Sequence, residues 1–354
     1  MNAKTAICAA VFGIFALLPT LAAGSGSATP KDADKHQSAF NDSRIKFLES
    51  SFKRLLEKSG SVSGALCLAE NGNILAAKSF PAGREGAAQT FALGKSTAAI
   101  VTLAAVAMQN EGKLNLRESA ESLCSYFRLS GSARRASLED IWSGKFGFSE
   151  HSDTLVPSDA SAAEVFDIAA QIPPAANVGI NSSKLAPAIA GYALGYIADK
   201  SQKNFKKSFA KALHAYALSP LGMEGAKYRS FDSPFFPATA LALTADDAAK
   251  WLACETAQNP KIATEQLVSE RRIPKSGEKK FSMGWIKTSI GKTNFYICGD
   301  YFQNCANIVA VMADERIAAA FFVKSTDSKS APQICSKALS LLIEMLQNPI
   351  PPSK

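Results

Sequence analysis

The run Ala98-Ala99-Ile100-Val101-Thr102-Leu103-Ala104-Ala105-Val106-Ala107-Met108 is apolar on nearly every face. A helix of that kind is stable only when surrounded by the rest of its domain. A turn at Gly94 opens the run, and Asn110-Glu111-Gly112-Lys113-Leu114 stops it. The entry residues, Phe91-Ala92-Leu93-Gly94-Lys95-Ser96-Thr97, are therefore expected deep in the fold, with the remaining elements wrapped around them.

Those elements follow from the hydrophobic periodicity. Asp42-Ser43 caps a helix whose apolar positions Ile45, Leu48, Phe52, Leu55 and Leu56 share one face, and which closes at Gly60. Residues 62–69 run as a strand, Asn71-Gly72 signals a tight hairpin turn, and residues 74–77 return. From about residue 115 to 245 strand patterns fade into helices joined by loops. Strand patterns come back at Met283–Ile286, Asn294–Cys298, Ile308–Met312 and Ala318–Val323, and an amphipathic helix spans Ile334–Leu346. The pattern predicts an α+β sandwich: an antiparallel sheet flanked by amino- and carboxy-terminal helices, with an all-helical insertion. The expected boundaries are 44–114 with 246–350 for the sheet domain and 115–245 for the helical one.

Met1-Asn2-Ala3-Lys4, the apolar run from Ala6 to Leu18 and the small residues Ala22-Ala23-Gly24 read as a signal peptide over 1–23, with no lipobox cysteine after it. Residues 24–43 read as a flexible lead, and no membrane-spanning segment is expected after cleavage. The expected location is the periplasm or outside the cell, which makes nucleic acid an improbable partner.

Once Cys8 leaves with the signal, six cysteines remain, an even number for an oxidising compartment. Cys298 and Cys305 flank a short polar turn and are the candidate disulfide, with two small buried apolar residues as the alternative. Three scattered histidines give no metal constellation, and no cofactor is expected. The formal net charge of +8 bunches at Lys200–Lys211 and Arg271–Lys280. These read as a solvated helix face and a charged loop, or as basic surface for an anionic cell-wall polymer or lipid.

Phe91, Gly94 and Glu111-Gly112-Lys113-Leu114 resemble the landmarks around the first signature of the serine β-lactamase and penicillin-binding protein family, of the class C β-lactamase, DD-peptidase and esterase type. That signature, Ser-x-x-Lys, places a serine at the positive end of a helix dipole and a buried lysine one turn on as its base. The family spacing puts the nucleophile position at Lys95 and the base position at Ala98. Lys95 has no hydroxyl and Ala98 no basic atom. Ser96 is the rescue candidate, although Ala99 lies three residues after it.

The resemblance runs from about residue 44 to 347. Ala136-Ser137-Leu138-Glu139-Asp140-Ile141-Trp142 is similar to a family helix, after which Gly144, Lys145 and Phe146 stand in place of a His-Thr-Ser segment. Ser219-Pro220-Leu221-Gly222-Met223 and Leu243–Leu252 resemble two structural landmarks. The second signature, Tyr-x-Asn, maps to Ser182-Ser183-Lys184 or to Gly179-Ile180-Asn181, in both cases without the tyrosine that relays a proton. The third, Lys-Thr-Gly or His-x-Gly, maps near Ile297, Cys298 and Gly299, without its cation or histidine.

The resemblance thus implies a β-lactamase/transpeptidase-like fold from which three catalytic signatures have departed together. The expectation is a periplasmic protein that has lost acyl transfer and serves as a binding or regulatory module. Its expected partner is a peptidoglycan-derived peptide or an acidic envelope protein, bound through Lys95, Ser96, Asn181, Ser182, Lys184, Cys298 and Gly299. Two other readings stand beside it: an active serine hydrolase with a displaced nucleophile such as Ser96, and a structural component of an envelope assembly. Lys95, a cation at the positive end of a helix, is expected to plug the old pocket or to hold an anion.

Overall fold

The computed structural model describes residues 38–81, 89–178, 183–200, 204–274, 280–290, 293–302, 304–327 and 329–348. The signal peptide, most of the lead, Asn181 and Ser182 lie outside the described residues.

The first helix, α1 (Asp42–Lys58), is capped one residue earlier than the sequence suggests: the Asn41 side chain accepts the Arg44 amide. Leu48, Phe52 and Leu56 form its buried stripe. The end of the expected flexible lead is docked, because Phe40 is buried and the Ala39 amide donates to Glu70 Oε1 at 2.8 Å. Arg44 donates to the carbonyls of Ala39 and Met345, which ties the start of the fold to its final helix. Strands β1 (Ser61–Glu70) and β2 (Asn73–Phe80) follow, with Asn71 and Gly72 at positive φ in the turn between them. That conformation is what an Asn-Gly hairpin requires.

Next come β3 (Phe91–Ala92), a 3-10 turn (Gly94–Ser96) and the all-apolar helix α2 (Thr97–Asn110). The middle of the chain is mostly helical: α3 (Ala120–Leu123), α4 (Leu138–Trp142), α5 (Ala162–Gln171), α6 (Leu185–Asp199), α7 (Phe205–Leu213), α8 (Phe236–Thr239), α9 (Ala245–Thr256) and α10 (Glu265–Glu270). Its strands are short: β4 (Phe146–Gly147) pairs with β5 (Ala175–Ala176), and β6 (Lys227–Tyr228) pairs with β7 (Leu241–Leu243), which pairs in turn with β3. The chain then returns to the main sheet through β8 (Phe281–Ser282), β9 (Trp285–Ile290), β10 (Thr293–Phe302), β11 (Cys305–Met312) and β12 (Ile317–Ser325), and ends on α11 (Ser330–Gln347).

The main sheet is antiparallel throughout, in the order β2-β1-β12-β11-β10-β9-β8. Period-2 alternation gives it two buried faces. Leu66, Leu68, Ile308 and Phe321 pack with α1 and α11, whereas Ala65, Cys67, Val309 and Ala320 pack with α2 and α9. Small residues on the second face let the helices carrying the site lie close to the strands. Each fully buried leucine or phenylalanine contributes about 1.5–3 kcal/mol, so the double-sided core fixes α2 firmly.

One expectation is overturned. Cys298 and Cys305 are free, as are the other described cysteines. The turn sits close to Cys305, which pairs with Phe302, whereas Cys298 pairs with Val309. Four residues of strand separate them, about 13 Å at strand rise, where a disulfide spans at most about 7 Å between Cα atoms.

Candidate functional site

The site begins where the Leu93 amide donates to the Leu241 carbonyl and the chain turns at Gly94, with φ of +55°. Asn307, on β11 and only 1% exposed, clamps this turn. Its Nδ2 donates to the carbonyls of Ala92 (3.2 Å) and Leu93 (3.0 Å), and its Oδ1 accepts the Ser96 hydroxyl at 2.8 Å. Ser96 is itself 2% exposed, so the rescue candidate is built into the frame, its proton given to an amide oxygen rather than to a base. Ser96 also bonds to Cys298, whose thiol is pushed far up by burial and stays protonated.

Lys95 and Ala98 occupy the first turn, both half-buried. The Lys95 amide donates to Asp300 Oδ2 on β10 at 2.8 Å, and Asp300 Oδ1 accepts the Tyr301 amide at 2.8 Å. At the residue expected to hold an external anion, the backbone amide already meets a carboxylate from its own chain. Burial pushes the Asp300 carboxyl above the ordinary 3.8, opposed by the Lys95 amide and charge, the Tyr301 amide and the Lys184 charge. Gly94 makes the arrangement possible, because a Cβ there would stand 2.1 Å from Asp300 Oδ2.

A pocket opens beside this corner, lined among others by Lys95, Ser96, Ala98, Trp142, Phe146, Ser183, Gly284, Cys298 and Gly299. Its free volume of about 20 Å³ is room for a water molecule, where sites for drug-sized ligands run to roughly 300–1,000 Å³. The β8–β9 turn helps to close it: a Cβ on Gly284 would lie 2.8 Å from the Ala99 nitrogen and 2.9 Å from the Ala98 carbonyl carbon. Trp142 is 3% exposed, and its indole N–H has no acceptor among the described residues.

Five of the seven predicted binding residues can thus be placed. Lys95, Ser96, Cys298 and Gly299 converge on the pocket. Lys184 does not line it but follows the lining residue Ser183 at the start of α6, where the Asp153 carboxylate accepts the Lys184 amide at 3.0 Å, the Leu185 amide at 3.2 Å and the Ser183 hydroxyl at 2.5 Å. That is a capped helix start, with the Lys184 ammonium 5.5 Å from the centre of the Phe235 ring. His151 is exposed, and Cys305 lines a separate pocket with Arg229 and Lys324.

The basic segment from Arg271 does not begin as a solvated loop. Arg271 and Arg272 are 2% and 4% exposed, and both pair with the buried Glu255 carboxylate, Arg272 at 2.5 Å. Trp251 Nε1 donates to the same carboxylate at 2.8 Å. Arg271 also reaches Thr102 at 3.5 Å, one helical turn beyond Ala98, which places a cation below the vacated base position. Farther out, Lys206 donates to the Asp232 carbonyl and Lys211 pairs with Asp199 at 3.9 Å.

Sequence reasoning missed Asp153, Glu255, Asp300 and Asn307. Asn307 carried a signal: a lone amide in the apolar run Ala306–Met312 must find partners if that run is buried.

No protein-family model and no curated protein matches the chain. Solved structures do. The octameric penicillin-binding protein homologue from Pyrococcus abyssi is similar with a TM-score of 0.66 at 14% identity, over 87% of this chain and 79% of that one. A β-lactamase/D-alanine carboxypeptidase from Yersinia pestis, complexed with citrate, gives 0.67 at 12% identity over 87% and 100%. A class C β-lactamase from Rhodobacter sphaeroides gives 0.60 at 12% over 84% and 99%. What the chain shares at these identities is the fold: it has the serine β-lactamase and penicillin-binding-protein-like architecture.

Proposed function

We propose that this chain is an extracytoplasmic binding module on a hydrolase fold, catalytically silent, which takes a carboxylate-bearing ligand such as a cell-wall peptide end or an acidic partner side chain. The observation that carries the reading is the entry to α2, the 3-10 turn and the first residues of the helix: the nucleophile and base positions hold Lys95 and Ala98, while the neighbouring hydroxyl, Ser96, is buried and donates to Asn307. An acyl-transfer nucleophile needs a base within hydrogen-bond reach and an open approach for the carbonyl carbon. Lys95 and Lys184 give the cleft positive charge, and the citrate complex of the Yersinia pestis neighbour is a precedent for a carboxylate on this fold. The sequence of the first 23 residues supports export, and no described helix is long and apolar enough to cross a membrane.

The test is covalent labelling of the purified protein with a fluorescent penicillin and with a fluorophosphonate. The expected result is no labelled band under conditions that acylate a class C β-lactamase. Labelling that vanishes in Ser96→Ala would establish the active-hydrolase reading in its place.

A further inference from the structure

We infer that the Asp300 carboxylate is an internal stand-in for a ligand's carboxylate, so that the cleft is self-occupied and a ligand must displace this side chain to bind. The inference rests on the binding reading above and names the feature that regulates it. The corner is built for one carboxylate. Two amides, of Lys95 and Tyr301, donate to its two oxygens at 2.8 Å each. Gly94 leaves the space it fills, at a φ that suits glycine. Lys95 faces it from the 3-10 turn and Lys184 from the start of α6.

The corner also opens onto something. Lys95 and Gly299, chain neighbours of Gly94 and Asp300, line the adjoining pocket, where the buried Trp142 indole N–H has no acceptor among the described residues. A ligand carboxylate that replaced Asp300 would meet the same two amides, two cations and a free donor nearby. The adjoining pocket, which Asp300 itself does not line, has about 20 Å³ and admits only water, so a ligand needs the volume that the Asp300 side chain holds. The energetics follow from competition: a site open for a small fraction of the time binds more weakly by that fraction, and removing the competitor restores the intrinsic affinity.

The experiment is chemical rescue. Asp300→Ala should lower the melting temperature by several degrees, and formate should restore it saturably while leaving the wild type unchanged. N-acetylalanine, used as a peptide-end probe, should bind Asp300→Ala at least about ten-fold more tightly than wild type. Equal formate effects on both proteins, or equal N-acetylalanine affinities, would overturn the inference. Should Asp300→Ala fail to fold, Asp300→Asn keeps the shape. In the wild type the Lys95 amide resonance should then move as the carboxylate protonates, and in Asp300→Asn it should stay still; a still resonance in both also overturns the inference. Penicillin labelling reads the other question separately. A protein that labels and shows rescue keeps the corner and loses the silent reading, and one that does neither does the reverse.

Discussion

Two clusters flank the start of α2, each with one carboxylate and two cations, and they are built to opposite ends. In Glu255–Arg271–Arg272 all three side chains are at most 5% exposed and the charges touch. In Asp300–Lys95–Lys184 all three are half-buried and the carboxylate spends its oxygens on backbone amides. Planar guanidinium groups lock a carboxylate from fixed directions, whereas ammonium groups on long stems act as movable charges near solvent. The first cluster therefore reads as a rivet beneath the helix, and the second as a contact that can be exchanged.

The hardest way to break the comparison is to remove the buried acid. Glu255→Ala leaves two guanidinium groups unpaired in the core and should cost about 3–5 kcal/mol in denaturant unfolding. Replacing all three members by apolar residues of similar volume should recover much of that loss. A cost below about 1 kcal/mol would mean that water reaches the arginines and that the cluster is no rivet.

The frame of the molecule was legible because it rests on local pattern: the short apolar runs of β1 and β10–β12, the Asn71-Gly72 turn and the unbroken apolar run of α2 each announce themselves within about ten residues. The missing catalytic groups at Lys95 and Ala98 were legible for the same reason, since spacing from Glu111-Gly112 is counted along the chain. What replaced them was not. Asp300 meets the Lys95 amide across 205 residues and Asn307 meets Ser96 across 211, and only the register of the sheet brings them there. Register also undid the Cys298–Cys305 pairing, because the turn falls beside Cys305 rather than midway. Arg271 and Arg272 were misread because a basic run looks solvated until Glu255, sixteen residues before Arg271, folds back onto it.

The next break is at Gly94. An alanine there takes on a left-handed φ, at about 1–2 kcal/mol, and drives its Cβ into the Asp300 carboxylate. Together these should cost about 2–4 kcal/mol of stability. In an Asp300→Ala background the collision with the carboxylate disappears, leaving the backbone strain and a tight 3.0 Å contact with Phe302 Cδ1, so the double-mutant cycle should show a coupling of at least about 1 kcal/mol. Additive losses would place the carboxylate elsewhere in solution.

Ser96→Ala is milder. It removes one hydroxyl and leaves the Asn307 carbonyl oxygen buried without that donor, for an expected loss of about 1–2 kcal/mol by thermal unfolding. Because Ser96 is framework in this reading, the loss should appear in stability while affinity for N-acetylalanine stays the same. A collapse of binding with unchanged stability would move Ser96 from the frame into the ligand site.

The finest test sharpens the contrast by pH. Burial raises the Asp300 carboxyl above 3.8, more than its two amide bonds and the Lys95 and Lys184 charges lower it. The sign follows from proton counting. Below 3.8 the folded and unfolded states both hold the proton, and the contribution of Asp300 to stability is fully present. As pH rises from there, the unfolded chain ionises first while the folded one keeps its proton. Stability is therefore lost until the folded carboxyl ionises too, and above that point the contribution is flat. Asp300→Asn cannot titrate, so the wild type should lose stability relative to it as pH rises from 3.8 until the folded carboxyl ionises, and run parallel to it above that point. The effect is the smallest of the set because the group is half-buried and two cations partly repay its desolvation. Curves parallel through the whole range would mean that the two amides and two cations offset the desolvation of this carboxyl in full, so that the corner holds it as well as water does.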